Sequence, residues 1–405
     1  MKSILSIACL LGIFSSSLID AFSPRQPLSQ FKTPRHQSSS ATSASTEESS
    51  KMSELKASVK DLKKILAREY ISFFDPMYQE YYSDNVSFED PMTSLAGVQS
   101  YQNNVDMLAS RTLLGKFLFQ DAGIVLHSIS GGEVQTDGSI TNIITRWTLR
   151  MTVKAIPWAP TARFTGISEY EVIPGGSKGV QVLHQTDYWD SINIQKGGSY
   201  AKVDKGIAVG DFLDQLKPDN GNAQAAGVEV PYQLLRRGNG YEVRRYPAYT
   251  AAKIPYERRD EGYDILASVT QGTEPLAPTI MQVPSDNDAR KTMSWPLVYA
   301  APGEESPPGV SPKVLEKIKE PMWSICELET VPERVIAVGS FSDASVAPLV
   351  RRVDKELRAT LERDGLKVPV SSESSVTFCQ YDAIFSLGKR RGEVWIDLEK
   401  GGHPW

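Results

Sequence analysis

The pattern of apolar and polar positions changes period several times along the chain, and each change marks an element. Leu55, Val59, Leu62, Ile65, Leu66, Tyr70 and Phe73 recur at helical spacing with Lys and Glu between them. They predict a helix over residues 55–73, ended by Asp75-Pro76. Val98, Tyr101, Val105 and Leu108 place a second helix over 98–108. The period then drops to two. Trp147, Leu149, Met151 and Val153 alternate with positions that include Arg146 and Arg150, the mark of a half-buried antiparallel strand over 143–153. Further strands are expected over 163–172 and 180–194, separated by the turn Pro174-Gly175-Gly176. Helices first and a meander of strands afterwards make the fold class α+β.

Residues 214–229 are rich in Pro, Gly, Asn and Ala and read as a linker. Beyond it, two strands over 232–237 and 241–247 flank Gly238-Asn239-Gly240, a hairpin signal. Residues 248–255 are expected to extend the second strand. A short helix follows over 261–269, with Tyr263, Leu266 and Val269 on one face. Prolines interrupt the extended segments 276–284 and 291–298, which read as edge or irregular strands. A strand over 333–341 leads through Ser342-Asp343, a capping pair, into a helix striped by Val346, Leu349, Val350, Val353, Leu357 and Leu361. Asp364-Gly365 stops it. Strand-then-helix thus occurs twice, a hint of internal duplication.

Composition changes this picture little. A chain of 405 residues calls for two cores. A net charge of -5 leaves no whole-chain footprint for nucleic acid, and no later stretch is long and apolar enough to span a bilayer. The N-terminus adds more. Lys2 precedes an apolar run ending near Ile19, and residues 22–46 hold Arg25, Lys32 and Arg35 but no acid. A signal peptide over 1–21 and a disordered transit-like segment over 22–50 are expected. That leader resembles the bipartite one of plastids bounded by extra membranes; secretion with a disordered linker is the simpler alternative. The domains expected are then 55–212, a linker at 213–229, and 230–405.

In the first domain, Tyr82-Ser-Asp-Asn-Val-Ser-Phe-Glu-Asp-Pro-Met92, Arg146-Trp147, Ile156-Pro157-Trp158 and Phe164-x-Gly166-x-Ser168-x-Tyr170 resemble plastid-associated, uncharacterised domains of the nuclear-transport-factor-two-like superfamily. The resemblance implies a cone-shaped helix-plus-antiparallel-sheet domain with an interior pocket. His184, with Asp90 or Asp187 in reach, is the candidate acid–base pair there; a histidine satisfied by one hydrogen bond is the simpler reading.

In the second domain, Tyr241-Glu-Val-Arg-Arg-Tyr-Pro247, the strand ending at Phe341, and Tyr381-Asp382 followed by Arg390-Arg391-x-Glu393-Val-Trp395 resemble the SOUL haem-binding family. This implies a distorted β-barrel with two helices that binds haem or a related tetrapyrrole. Burying on the order of 300 Å² of porphyrin face contributes up to ~7 kcal/mol before entropy costs. Wall candidates are Tyr263, Leu266 and Val269, with Met281 and Phe385 by analogy. Lys389, Arg390 and Arg391 are the propionate partners, by charge-assisted hydrogen bonds, unless Arg390 and Arg391 pair with Glu393 or Asp382 instead. No histidine precedes His403 in this domain; Tyr381, Cys379 and Met281 are the remaining candidate ligands. The sequence therefore points to a plastid tetrapyrrole carrier or buffer without turnover. The alternatives are an isomerase- or hydrolase-like enzyme on a small apolar metabolite in the first domain, or a protein associating with thylakoid or lipid-globule surfaces.

Overall fold

The computed structural model describes residues 41–218, 228–285, 289–342, 347–370, 374–381 and 391–405. The expected signal peptide, most of the transit-like segment and the middle of the linker lie outside them. Helix α1 runs Ala41–Ser72. It starts before residue 55 because no Gly or Pro interrupts residues 41–72. Leu62, Leu66 and Tyr70 are fully buried along it. Helix α2, Val98–Leu108, matches its prediction. Helix α3, Leu113–Leu118, is capped by Thr112, whose Oγ1 accepts from the Gly115 amide at 3.0 Å.

Strands β1 (Tyr82–Glu89), β2 (Ser94–Ala96), β3 (Phe119–Gly131), β4 (Ile143–Val153), β5 (Thr161–Pro174) and β6 (Val180–Trp189) form one sheet in the order β2-β1-β6-β5-β4-β3. Only the β1–β6 pairing is parallel. Helix α1 packs against both β3 and β6, so the sheet curves around it. Strand β3 has no clean alternation to announce it: its register slips on β4 between Gln120 and Gly123 and again between Leu126 and Ser128. The strand expected to reach residue 194 stops at Trp189. There the short helix α4, Asp190–Asn193, begins, with Asn193 Oδ1 accepting from the Trp189 amide at 2.7 Å. Helix α5, Lys205–Gln215, closes the domain, its N-terminus capped by Asp204.

The second domain holds β7 (Gln233–Gly238), β8 (Tyr241–Tyr246), β9 (Tyr249–Tyr256), α6 (Arg259–Val269), β10 (Thr279–Pro284), β11 (Lys291–Tyr299), α7 (Pro312–Ile318), β12 (Glu327–Val331), β13 (Arg334–Ser342), α8 (Ala347–Arg363), β14 (Ser375–Gln380) and β15 (Arg391–Asp397). Nine strands make one antiparallel sheet in the order β12-β9-β11-β10-β14-β15-β13-β8-β7. Residues 249–256 do not extend β8: they cross to pair with β11 and β12. Nor are β10 and β11 edges. Both lie inside the sheet, and Pro296 is tolerated because the β9–β11 register shifts between Pro296 and Val298. The duplication hint is visible as topology. β9-α6-β10-β11 and β13-α8-β14-β15 each fold with the last strand in the middle, and the two units meet across β10–β14, where Ile280 faces Cys379. Val350, Leu357 and Leu361 of α8 and Leu266 and Val269 of α6 share one core with Met281, Met293, Phe378 and Val394, so both helices cover the same sheet face. The cap at Asp343 and Val346 lie outside the described residues. Gly365, at φ 74°, ends α8, with the Leu366 amide donating to the Leu361 carbonyl.

The domains meet through β7. Thr148 Oγ1 donates to the Leu234 carbonyl at 2.8 Å, the Arg237 amide to Thr165 Oγ1 at 2.7 Å, and the Arg237 guanidinium clamps Asp211 at 2.9 and 3.0 Å. At the centre of this contact Asp190 is buried. It accepts from Thr165 Oγ1 at 2.6 Å and from Tyr200, and lies 3.4 Å from Arg146 and 3.9 Å from Arg236. The C-terminal Trp405 ring sits beneath both guanidinium groups, at 5.4 and 5.0 Å. Burial opposes the Asp190 charge, but Arg146 and Arg236 hold its carboxyl below the ordinary value. Asp190→Ala leaves two buried cations without their anion, so we expect a loss of about 3 kcal/mol in urea unfolding of the full chain. A loss under about 0.5 kcal/mol would mean the contact carries no weight.

Candidate functional site

Helix α6 packs on β9 and sorts the expected wall residues by depth. Leu266 and Val269 are buried, as is Met281, in the core beneath the helix. Only Tyr263 stands at the margin. Its ring meets Trp295 of β11 edge-on at 5.8 Å, and its hydroxyl donates to Gln380 Oε1 of β14 at 3.3 Å. Thr279, Gln380, Gly392 and Phe341 are successive cross-strand partners on this face. A Cβ on Gly392 would lie 2.5 Å from the Phe341 ring, so only glycine lets that ring close over the sheet. The Trp295 indole N–H is buried and has no hydrogen-bond partner among the described residues. Phe385, Lys389 and Arg390 lie outside the described residues, in the connection between β14 and β15. Its two ends, Tyr381 and Arg391, are joined by an amide-to-carbonyl bond of 3.3 Å beside this margin.

The opposite sheet face takes the other two expected residues. Strand alternation points Arg391 and Glu393 away from the helices, with Gly392 between them. Glu393 is fully buried and accepts from Arg244 Nη1 at 3.0 and 3.1 Å, Tyr381 Oη at 2.7 Å, Trp395 Nε1 at 2.8 Å and Arg391 Nη2 at 3.2 Å. Arg391 also donates to Glu229 at 2.6 Å and lies over the Tyr381 ring at 3.8 Å. Arg244 bonds Glu242 at 2.7 Å and covers the Tyr232 ring at 4.2 Å. Burial works against the Arg244 charge, but Glu393 and Glu242 raise its pKa well above the ordinary value. The cationic triplet is thereby divided: Arg391 serves this internal network, as the pairing alternative for it anticipated, and Tyr381 serves it too.

In the first domain, His184 does not meet a carboxylate. Its Nδ1 pairs with Ser87 Oγ at 2.6 Å and its Nε2 with Thr186 Oγ1 at 2.8 Å. The cause is a bulge. Glu171 faces His184 while Val172 faces Val182, which leaves Leu183 as an extra residue. One inserted residue reverses the facing of every later side chain. Val180 and Val182 point inward before it; Gln185, Asp187 and Trp189 point inward after it. Gln185 accepts from Tyr101 Oη at 2.7 Å and donates to Asp187 Oδ1 at 2.8 Å. Nearby, the Tyr70 hydroxyl shares hydrogen bonds with Thr145, Ser168 and Tyr170 at 2.8, 3.0 and 3.0 Å, and Trp147 Nε1 donates to Ser168 at 2.8 Å. Burial pushes Asp187 up from its ordinary 3.8 to about 7, Asp90 to about 6, and Glu69 from 4.5 to about 7. Asp187 thus takes the inward-facing position on β6 that His184 was expected to hold.

Comparison with known families bears on both domains. Residues 228–397 match the family model described as "SOUL heme-binding protein". The second domain is a SOUL domain. Residues 60–177 match "Uncharacterized conserved protein (DUF2358)". No curated protein matches the chain. Similar solved structures include a hydrolase from Listeria innocua (10% identity, 39% of this chain and 91% of that one, TM-score 0.28). Others are the C-terminal domain of EcmrR (10%, 42% and 98%, 0.28) and an NTF2-like superfamily protein from Salmonella enterica subsp. enterica serovar Typhimurium (12%, 34% and 92%, 0.25). At such scores nothing about function follows from them.

The SOUL domain's candidate iron ligands are all otherwise engaged. Met281 is buried in the helix-side core, Cys379 is buried on the opposite face, and Tyr381 donates to Glu393. His403 Nδ1 accepts from the Trp405 amide at 3.3 Å. No group of three His, Cys, Asp or Glu suited to a metal occurs among the described residues. What the helix-side margin would offer a flat ligand is an aromatic edge and a buried indole N–H.

Two outcomes follow. Glu393→Ala strands Arg244 in the sheet and is expected to lower stability by about 3 kcal/mol in urea unfolding; an unchanged midpoint would refute its role as the hub. Asp187 and Glu69 hold protons in the fold that the unfolded chain releases near its ordinary carboxylate pKa. Between about pH 4 and 7 the unfolded state therefore binds fewer protons, and this contribution to stability falls as pH rises. Asp187→Asn should flatten that fall when midpoints at pH 5 and pH 8 are compared; an unaltered difference would mean Asp187 titrates normally.

Proposed function

We propose that the SOUL domain binds a haem-like tetrapyrrole and carries or buffers it without turnover, in a plastid reached through the leader of residues 1–50. The observation that carries this reading is the family match over 228–397, joined to the half-buried Tyr263–Trp295 pair, whose indole N–H has no partner among the described residues. Tyr263 and Trp295 would form the edge of the apolar wall, with Leu266, Val269 and Met281 as its fixed backing. Lys389 and Arg390 would meet its carboxylates and Phe385 would add to the wall, as the family resemblance implies. Arg391 is already committed to Glu229 and Glu393. Titration of the full chain with hemin and with metal-free protoporphyrin should give a saturable Soret change with both. Tyr263→Ala with Trp295→Ala should weaken binding about tenfold or more. Lys389→Ala with Arg390→Ala should weaken it for free-acid porphyrins and spare their dimethyl esters. No saturable change with either pigment would end this proposal.

A second reading is favoured by Asp187. A carboxylate poised near neutrality, hydrogen-bonded by Gln185 and flanked by tyrosines, is suited to act as a general base toward a small apolar molecule in the DUF2358 domain. Nitrobenzisoxazole tests this: removal of its ring proton by a base pushes electrons into a nitrile, breaks the N–O bond and releases a coloured phenolate. Turnover should rise with pH through about 7 and vanish in Asp187→Asn; turnover that survives this substitution would discard the reading.

A further inference from the structure

One end of the DUF2358 domain carries large apolar side chains that no described residue covers. Ile71, in the last turn of α1, is 84% exposed, and Leu113, Leu114 and Phe117 of α3 are 88%, 43% and 64% exposed. These residues are not a frayed helix. Thr112 caps α3, and Leu118 and Gly115 face inward. A Cβ on Gly115 would lie 2.2 Å from the Met107 carbonyl oxygen, so the helix is pressed directly onto the end of α2. The Lys154 amide donates to the Leu118 carbonyl at 3.0 Å, fixing the other end. Arg111 ties α3 to α1 by donating to the Ser72 and Phe73 carbonyls at 3.2 and 2.7 Å. The fold thus spends a glycine, a cap and an arginine on holding a leucine–phenylalanine face outward.

Two exposed lysines stand beside this face. Lys116 lies on α3 itself and Lys154 follows directly at its C-terminal end. The nearby acids Asp106 and Asp75 are both engaged by Arg111, at 2.9 and 3.6 Å; Asp121 is the remaining acid close in sequence. The loop after Lys154 adds Trp158, 44% exposed, whose indole N–H donates to the Leu216 carbonyl and so fixes the ring at the surface. Aliphatic and aromatic tips fringed by lysine are the composition of a segment that sits in the headgroup–acyl boundary. The four apolar side chains expose on the order of 500 Å², enough to mark an interaction site but short of the ~800 Å² per partner that a stable dimer needs.

We propose that this end of the DUF2358 domain docks on an anionic lipid surface, with Leu113, Phe117 and Ile71 entering the acyl boundary and Lys116 and Lys154 meeting the headgroups. Docking here is independent of pigment binding in the SOUL domain, so either can fail without the other. The full chain should sediment with vesicles of phosphatidylcholine containing about a third phosphatidylglycerol, more weakly with phosphatidylcholine alone, and more weakly at high salt. Leu113→Ser with Phe117→Ser should reduce partitioning at least tenfold while leaving the melting temperature and the hemin titration unchanged. No sedimentation with anionic vesicles overturns the proposal. Equal sedimentation of the double variant, or a solution dimer that the same substitutions dissolve, overturns it as well.

Discussion

The SOUL domain is held around one carboxylate. Glu393 lies fully buried in a sheet, where an unpaired charge costs several kcal/mol. It is tolerable because Arg244, Tyr381, Trp395 and Arg391 all aim donors at it. Those donors come from β8 and from the consecutive strands β14 and β15, distant from β8 in sequence but separated from it in the sheet only by β13. The network thus fixes which strands are neighbours and in what register. It also explains why the residues most diagnostic in sequence, Tyr241-Glu-Val-Arg-Arg-Tyr and Arg-Arg-x-Glu-Val-Trp, sit together: they are the two halves of one buried ion cluster.

That constraint reshapes the ligand argument. Because Arg391 and Glu393 share a face with Tyr381 and Cys379, the side of the sheet beneath α6 and α8 is left without Arg391. Arg391, held by Glu229 and Glu393, is therefore not available to a ligand on the helix side. The same alternation leaves Gly392 on the helix side, where the absence of a side chain admits Phe341.

Much of this architecture was legible. The periodicities of α2, β4 and the α8 stripe translate directly into burial, since Tyr101, Trp147, Leu357 and Leu361 are core residues. The second domain's hairpin and the paired strand–helix units were also readable, because turn glycines and apolar stripes are local signals. What escaped was non-local. Leu183 looks like any strand residue, yet as a bulge it exchanges His184 for Asp187 in the interior. Pro296 left an edge or an irregular strand open, and only the pairing decides it: the register shift makes β11 an irregular strand inside the sheet. Trp295 passed unnoticed as a wall residue because only its contact with Tyr263 distinguishes it. Asp190 gave no sign of its two arginine partners, one of which lies in the other domain.

The interface that Asp190 anchors links the two halves in a specific way. Arg146 belongs to the DUF2358 sheet, Arg236 to the first strand of the SOUL domain, and Trp405 to the chain's last residue, so three separate segments converge on one carboxylate. Arg163 reaches across to Glu242 at 3.0 Å, and Glu242 in turn bonds Arg244, a partner of Glu393. A continuous chain of charge-assisted contacts therefore runs from the domain boundary into the hub of the SOUL sheet. Tyr263 and Trp295 lie against the core on the other, helix side of the sheet. The physical link between the domains ends in the scaffold of the SOUL sheet, so the first domain is placed to stabilise that sheet.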